Sequence, residues 1–346
     1  MIQKGSFKVM SSTADTSAPS NNGPARPTNS MIDAVRAQIA KVVVGQDVVV
    51  ERMLIALLTG GHLLLQGVPG LAKTLLVSAL ANAIDLKFGR IQFTIDLLPS
   101  DILGSEILNQ QTNAFHVNKG PIFANLLLAD EINRAAPKVQ SALLEAMQER
   151  RVTIGKETHT LPAPFLVIAT QNPVEQAGTF ELPEAQLDRF MLCHRLDYPK
   201  RDDELSIISQ ALGLGLDRQQ SGAVPQTAFH LIEGKPVASV DQLVEAMHAV
   251  QQIHVSDVFG EHVVELVRRT RETGDLELGC SPRAGIALVT AARARAFVHG
   301  RDYVITDDLF ALAEDVLMHR MRLTYQALAE GKTGRSVLES ILASLG

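Results

Sequence analysis

The eight residues GVPGLAKT, at positions 67–74, have the composition of a loop that binds phosphate groups. Such a loop needs backbone N–H groups that point inward, a helix N-terminus behind them and a lysine for the outer phosphates. Gly67 and Gly70 permit the unusual backbone, Lys73 begins the predicted helix, and Thr74 stands where a hydroxyl would hold Mg²⁺. Taken alone, the pattern fits either a nucleotide site or an ordinary strand–turn–helix connection.

Ala72 occupies a position where this kind of loop usually has glycine. Alanine is the smallest replacement, and we expect it to be tolerated if its φ angle is negative and to fail if φ must be positive. The whole segment is predicted to contact the nucleotide. Its residues are Gly67, Val68, Pro69, Gly70, Leu71, Ala72, Lys73 and Thr74.

Polar residues also follow two later apolar runs. Asp130 and Glu131 come after LLLA, where an aspartate can hold the Mg²⁺ shell and an adjacent glutamate can polarise the attacking water. The acidic pair could instead cap the next helix, a role that is also open to Asn133. Asn172, in VIATQNP, could orient that water or contact the γ-phosphate, or could be only a turn residue before Pro173.

Two arginines complete the candidate site. Arg189 is predicted at the end of a helix, directly before the last strand, and Arg283 in a first helical turn that Ser281 caps and Pro282 begins. Arginines in such places are commonly solvated or salt-bridged, but they can also stabilise charge that develops on a γ-phosphate. Five elements in this chain order, each at a strand end or a helix start, favour a working nucleotide site.

The elements that position these residues can be read from the apolar pattern. Helices are predicted at 31–42 and 48–58, and from Gly60 onward five short apolar runs alternate with helical stretches. These runs lie in HLLLQG, FGRIQFT, NLLLADE, FLVIAT and MLCHRLDY. Continuous apolar runs fit strands that are buried on both faces, which predicts a five-stranded parallel sheet in an α/β domain.

Two stretches interrupt this alternation. Residues 96–121 carry DILGSEI and AFHVN on either side of a polar turn, which predicts an inserted hairpin. In RVTIGKETHTL, Gly155 and Lys156 form a predicted two-residue turn between alternating arms.

The 346 residues are enough for two domains. We divide the chain into a tail at 1–30, whose polar composition predicts disorder, an α/β nucleotide-binding domain at 31–199 and an all-helical domain at 200–346. No strands are expected after Pro199, and residues 213–239 are expected to form a loop.

Composition excludes some classes of protein. The formal net charge of −6, with three tyrosines and no tryptophan, argues against a protein that mainly grips nucleic acid. No apolar run is long enough to cross a bilayer, and the N-terminus lacks signal-peptide features. Cys193 and Cys280 are too few for a disulfide framework, so we expect a cytoplasmic protein.

Several segments together resemble the MoxR family of AAA+ ATPases. They are GVPGLAKT, GPIFANLLLADEINRA, QSALLEAMQER, ATQNP, EAQLDRF and SPRA, and the resemblance covers about 31 to 346. It implies an AAA+ P-loop core with β-hairpin inserts and a helical lid. ATP and Mg²⁺ are the implied cofactors, and a homo-oligomeric ring, usually a hexamer, is the implied assembly.

The resemblance also implies a role for each residue in the core. Lys73 and Thr74 would contact phosphates and Mg²⁺, and Asp130 would be the Walker B aspartate. Glu131 would be the catalytic glutamate, and Asn172 would be the first sensor.

Three arginines and the adenine side of the pocket are assigned in the same way. Arg283 would be the second sensor, acting from the lid of its own subunit. Arg189 would reach the ATP of the neighbouring subunit as the arginine finger, with Arg195 as the alternative. The residues implied at the adenine side are Val44, Gly45 and Gln46.

The two hairpins resemble the helix-2 and pre-sensor inserts of this group, which line the pore of the ring; Lys156 is thus a candidate substrate contact, or else a solvated turn residue. MoxR proteins act as chaperone-like ATPases with a partner that carries a von Willebrand factor A (VWA) domain, and they help to mature a client protein or metalloenzyme. A nucleotide-dependent binding switch with slow hydrolysis and a metal-chelatase-like motor subunit stay open. The acidic balance argues against a helicase or transcription activator.

Overall fold

The computed structural model describes residues 27–111, 113–173, 178–219 and 222–345. The first described helix runs from Pro27 to Ala40, so the prediction of a disordered tail is wrong for residues 27–30. Proline is favoured in the first turn of a helix, because the missing N–H would have no partner there. The rest of the predicted tail, 1–26, lies outside the described residues.

The α/β part of the chain consists of a sheet, two hairpins and the helices around them. Its elements in chain order are α1 (Pro27–Ala40), α2 (Asp47–Thr59), β1 (Leu63–Gln66), α3 (Lys73–Ala83), β2 (Phe88–Gln92), α4 (Pro99–Leu103), β3 (Gly104–Asn109), β4 (Ala114–Lys119), β5 (Leu126–Asp130), α5 (Pro137–Glu149), β6 (Arg151–Ile154), β7 (Glu157–Thr160), β8 (Leu166–Gln171), α6 (Glu184–Leu187) and β9 (Leu192–Arg195).

The five predicted strands form one parallel sheet in the order β2-β5-β8-β1-β9. Apolar side chains are buried on both of its faces, as the continuous apolar runs predict. Because β1 lies between β8 and β9, the chain leaves β1 at a point where the strand order reverses. Ligands of such sheets bind at the carboxyl ends of the strands beside this point.

Both predicted hairpins are present. β3 pairs antiparallel with β4, and β6 pairs antiparallel with β7 across the two-residue turn of Gly155 and Lys156. The first insert differs in one detail, because Asp101, Ile102 and Leu103 belong to the short helix α4 and not to a strand.

The remaining elements form the lid. In chain order they are α7 (Arg201–Leu212), β10 (Leu216–Gln219), β11 (Gly222–Pro225), α8 (Val240–Gln251), α9 (Asp257–Glu272), β12 (Leu276–Leu278), α10 (Pro282–Val298), α11 (Thr306–Leu317), β13 (Arg322–Leu323), α12 (Tyr325–Ala329) and α13 (Gly334–Ala343). The helical lid is confirmed, and no described helix is long and apolar enough to span a membrane.

The expectation that no strand follows Pro199 is wrong. β10 pairs with β11 inside the stretch predicted as a loop, and β12 pairs with β13. These strands have four residues or fewer, too short to show an alternating pattern in the sequence.

Charged side chains tie the lid to the α/β part. Arg52, on α2, donates from Nε to Asp315 of α11 at 2.5 Å and from Nη1 to Glu51 at 2.5 Å. Asp315 is also 2.8 Å from Nδ1 of His194 on β9, and Arg295 of α10 donates to Glu51 at 3.2 Å. Apolar residues of α2 and α10 share one core, so the boundary drawn at 199/200 crosses a packed interface and stays a proposal.

Candidate nucleotide-binding site

The segment 67–74 connects β1 to α3, as predicted, and Lys73 is the first residue of α3. The ammonium Nζ of Lys73 donates to the backbone carbonyl of Gly67 at 2.7 Å, so this hydrogen bond joins the first residue of the loop to the first residue of α3. Gly70 has a φ of 89°, and a Cβ placed there would meet nothing within 4 Å. Ala72, the N-cap residue, has no polar side-chain atom to cap α3, so the first N–H groups of the helix are available to an anion.

The backbone of Ala72 does not meet the condition that we set for alanine in this loop. Its φ is 52°, in the left-handed region, although the sequence argument required a negative φ for alanine to be tolerated. This backbone costs a residue with a Cβ about 1–2 kcal/mol. The loop therefore holds a strained alanine, a feature that clusters at ligand-binding sites.

The acidic pair at the end of β5 is held by Thr170 of the neighbouring strand β8. The hydroxyl of Thr170 donates to Oδ1 of Asp130 at 2.6 Å and accepts the backbone N–H of Glu131 at 2.8 Å. From β2, Arg90 donates to Oδ2 of Asp130 at 2.8 Å, and Gln92 donates to Oε2 of Glu131 at 3.0 Å. The sequence argument missed Thr170, Arg90 and Gln92, although Thr170 lies inside the motif that supplied Asn172.

Glu131 is the second strained residue of the site, with a φ of 56°. It precedes a short 3₁₀ helix, Ile132–Arg134, and its side chain makes no capping hydrogen bond there. The carboxylate lies 3.1 Å from Nε of Arg134 instead. The side chain of Glu131 therefore does not cap this helix, which was the alternative role.

Lys73 and the acidic pair are close enough to influence each other. Burial, the largest cause, lowers the pKa of Lys73, whereas the charges of Asp130 and Glu131 act in the opposite direction. The structure thus brings a half-buried ammonium and two carboxylates to the same edge of the sheet. Such a set can bind the phosphates and the metal ion of a nucleotide.

Asn172 follows β8, which is the neighbour of β1, as expected. The backbone N–H of Gly67 donates to the carbonyl of Gln171 at 3.1 Å, which joins the loop to this strand end. Asn172 is buried, and its backbone carbonyl accepts a hydrogen bond from Nδ2 of Asn133 at 3.5 Å. These contacts place Asn172 beside the loop, and its role as a sensor stays a prediction.

An apolar cavity of about 530 Å³ lies next to the loop. Val44 and Gln46 line it, as the resemblance implies, whereas Gly45 between them does not. The loop contributes Pro69, Gly70, Leu71 and Ala72. A further wall of the cavity had no signal in the sequence, because it comes from the end of the α/β domain and from the lid, far from the loop along the chain. It consists of Tyr198, Pro199, Glu204, Ile207, Ile208, Gln210, Ala211, Leu214 and Ala228.

The two predicted arginines are linked through Asp188, and neither lines this cavity. Arg189 lies between α6 and β9, directly after Asp188. Asp188 accepts Nη1 of Arg283 at 3.2 Å and Nε of Arg320 at 2.7 Å. The side chain of Arg283 is 60% exposed. The structure therefore places Arg283 beside the predicted arginine finger, and its assignment to the ATP of its own subunit stays a prediction.

Arg195, the alternative finger, is the last residue of β9 and is exposed. In the register of the sheet it is the partner of Gln66, the last residue before the loop. It therefore lies at the same edge of the sheet as the acidic pair, on the other side of β1.

Comparison with known proteins gives this arrangement a context. Residues 62–192 match the family described as "ATPase family associated with various cellular activities (AAA)", and residues 268–341 match the AAA lid domain. The chain is 45% identical to the uncharacterized protein YeaC of Bacillus subtilis, over 89% of this chain and 92% of that protein. It is 43% identical to Chaperone MoxR1 of Mycobacterium tuberculosis, over 89% of this chain and 80% of that protein.

A solved structure is similar along most of the chain. It is the 2.00 Å crystal structure of a protein from Cytophaga hutchinsonii that is described provisionally as an ATPase. The TM-score is 0.81 and the sequence identity is 44%, over 91% of this chain and 94% of that one.

Proposed function

Because this chain belongs to the MoxR family of AAA+ ATPases, we propose that it hydrolyses ATP in a ring of identical subunits, a hexamer, and acts as a chaperone-like factor. The observation that carries this proposal is the acidic pair that Thr170 holds at the sheet edge, within electrostatic reach of Lys73. A pair placed in this way fits the metal ligand and the general base that phosphoryl transfer to water requires.

The phosphates would lie on the segment 67–74, where the N-terminus of α3 and Lys73 provide positive charge. The apolar cavity beside the loop would take the base. Within the described ranges, no group of three or more His, Cys, Asp or Glu could hold a metal ion. The protein's contribution to the binding of Mg²⁺ would be Thr74 and Asp130, and Mg²⁺ bound with ATP neutralises charge on the phosphates.

Glu131 would accept the proton of the attacking water, and Asn172 would orient that water from the end of β8. Gln92 and Arg134 hold the carboxylate of Glu131 at 3.0 and 3.1 Å, so they fix its position before the reaction. The left-handed backbone at Glu131 supports this assignment, since strain of this kind persists where surrounding contacts enforce it.

Arginine would come from a neighbouring subunit. Arg189 does not line the cavity of its own chain, and its neighbour in the sequence, Asp188, pairs with the exposed Arg283. An arginine that reaches the γ-phosphate from outside stabilises the charge of the transition state. We keep Arg189 as the finger and Arg195 as the alternative, and we propose that Arg283 senses the phosphates from the lid.

The partners are proposed from the resemblance to the family. One relative is named Chaperone MoxR1, and we propose a chaperone-like role for this chain in the cytoplasm, with a VWA-domain partner and a client protein or metalloenzyme. The two hairpins would face the client, and Lys156 at the turn of the second would contact it.

A nucleotide-dependent binding switch with slow hydrolysis is the second candidate. One observation favours it, because Arg90 already pairs with Asp130 at 2.8 Å. This ion pair has to loosen before Asp130 can serve Mg²⁺, which would slow turnover in the absence of a partner.

The experiment that tests the proposal is ATP turnover against protein concentration. We expect the specific activity of the wild type to rise with concentration, because each site needs a neighbour, and to collapse in Arg189→Ala. Arg195→Ala tests the alternative finger, and Arg269→Ala, an arginine of α9 paired with Glu265, is the matched control that should behave as wild type. Specific activity that is independent of concentration and of Arg189 and Arg195 would contradict a shared site.

A further inference from the structure

Helix α7 presents an apolar face that no described residue of the chain buries. None of its residues, all of which the structure describes, is buried. Its large apolar side chains are between 40 and 82% exposed: Leu205, Ile207, Ile208 and Leu212. A contiguous apolar face of this kind on a surface helix marks an interaction site.

A second apolar surface lies on the lid, between α9 and α10. We call it the α9–α10 groove, a cavity of about 560 Å³. Its apolar lining includes Val263, Val264, Val267, Ile286 and Val289. Ile286 is 69% exposed and Val264 is 58% exposed. An apolar groove between two helices can receive the apolar face of a third helix.

The two surfaces are complementary in charge. The groove is lined by Arg271 and by Arg268, which pairs with Glu272 of the same helix at 3.3 Å; within the described part of the chain no carboxylate lines it, and α10 contains no acidic residue. Helix α7 carries three carboxylates in its first turn, Asp202, Asp203 and Glu204. Opposite charges at the rim set the orientation of a helix that enters such a groove.

Their positions relative to the nucleotide site are also complementary. Ile207 and Ile208 of α7 line the nucleotide cavity. Pro282 lines the groove and is followed by Arg283, which pairs with Asp188 beside Arg189. A helix α7 that docked in the groove of another copy would therefore bring its own nucleotide cavity towards Arg189 of that copy.

We propose that α7 of one copy docks in the α9–α10 groove of the next copy, and that this contact completes the ATP site between them. The inference rests on the proposed ring and names the surfaces that build it. The two surfaces differ, so the contact is head-to-tail, and repetition of such a contact closes into a ring.

The test uses full-length protein and two exposed positions outside the nucleotide cavity. Leu205→Asp on α7 and Ile286→Asp in the groove each place a carboxylate in the apolar contact. Each is expected to lower ATP turnover about tenfold or more at a concentration where the wild type is fully assembled. Leu328→Asp on α12, 54% exposed against 49% for Leu205, is the matched control and should assemble normally.

Mixing the two variants separates this contact from any other. In a mixture, the intact groove of the Leu205→Asp copy can receive the intact α7 of the Ile286→Asp copy. Turnover should return, at no more than half of the sites. Adding Arg189→Ala to the Leu205→Asp copy should abolish the return, whereas adding it to the Ile286→Asp copy should not, because Arg189 acts from the copy that provides the groove.

The outcomes distinguish this inference from the proposed function. If wild-type specific activity does not depend on concentration, both fail. If it does, but the two variants turn over as the wild type, the ring stands and this contact is wrong. If both variants lose activity, retain the circular dichroism and Tm of the wild type, and do not complement each other, the pairing of these two surfaces is also wrong.

Discussion

The hydroxyl of Thr170 lies 2.6 Å from Oδ1 of Asp130, across the boundary between β8 and β5. The same oxygen accepts the backbone N–H of Glu131 at 2.8 Å. One side chain thus sets both the direction of the proposed metal ligand and the strained backbone of the proposed base.

Thr170→Val keeps the shape of the side chain but removes the donor to Asp130 and the acceptor for the N–H of Glu131. We expect the free energy of unfolding to fall by about 1–3 kcal/mol, since buried polar groups lose their partner. The kcat of ATP hydrolysis should fall, whereas the Kd of the nucleotide should stay close to that of the wild type. Thr170→Ser, which keeps the hydroxyl, should recover most of the turnover, and equal kcat for Val and wild type would remove Thr170 from the positioning role.

Glu131→Gln removes the proposed base and keeps its size and its contact with Gln92. ATP binding should survive, and turnover should fall by roughly 10²–10⁴-fold, the usual contribution of a general base. Single-turnover hydrolysis with pre-bound ATP measures this step directly. Glu149→Gln, an exposed glutamate at the end of α5, is the control. Turnover that survives in Glu131→Gln would transfer the role to another group.

Ala72→Gly tests the strain in the loop. Glycine adopts a φ of 52° without the penalty of about 1–2 kcal/mol that alanine has in the folded state. The greater conformational entropy of glycine in the unfolded state opposes this gain by about 0.4–1 kcal/mol. We therefore expect the free energy of unfolding to rise by about 0.5 kcal/mol. Ala81→Gly, the same change inside α3, should lower it by about 1 kcal/mol or more. Urea unfolding of both variants measures these changes in the free energy of unfolding. A loss of stability in Ala72→Gly would show that the loop is not strained.

Asp308→Asn tests the charge network of the lid. Asp308 is buried and accepts from Arg295 at 2.5 Å, from Arg301 at 2.6 and 2.8 Å and from the backbone N–H of Ile305 at 3.0 Å. Burial alone would raise the pKa of Asp308, but the hydrogen bonds from Arg301, Ile305 and Arg295 bring it below the ordinary value. The variant should lose about 3 kcal/mol at pH 7, because two arginines keep their charge and lose their partner.

The pH dependence of this loss has a defined sign. A carboxylate whose folded pKa lies below its unfolded pKa stabilises the fold fully above about pH 4, and this contribution disappears as the pH falls through the folded value. The difference between wild type and Asp308→Asn should therefore shrink below about pH 4 in chemical unfolding. Asp307→Asn, at an exposed neighbouring position, should show neither the loss nor its pH dependence. A constant difference at all pH values would mean that the charge of Asp308 is not what stabilises the lid.

Local patterns were sufficient to predict the α/β core. Runs such as LLLQ and LLLAD are continuously apolar because their strands are buried on both faces, so the five strands and the two hairpins could be predicted from the sequence. The loop from Gly67 to Thr74 was likewise predictable, because glycines, a lysine and a following helix are all local features. The same holds for the places of Asp130, Glu131 and Asn172 at strand ends.

Contacts between distant segments were decided only by the tertiary structure. Nothing near Thr170 in the sequence shows that it holds Asp130, and nothing near Arg283 shows that Asp188 pairs with it. The left-handed φ of Ala72 was also missed, since one alanine in a loop carries no signal of the backbone around it. The sequence by itself determined which residues could do the chemistry and at which strand ends they lie. Their mutual distances, their ion pairs and the lid wall of the cavity depend on how strands and helices far apart in the chain pack together, which no local pattern encodes.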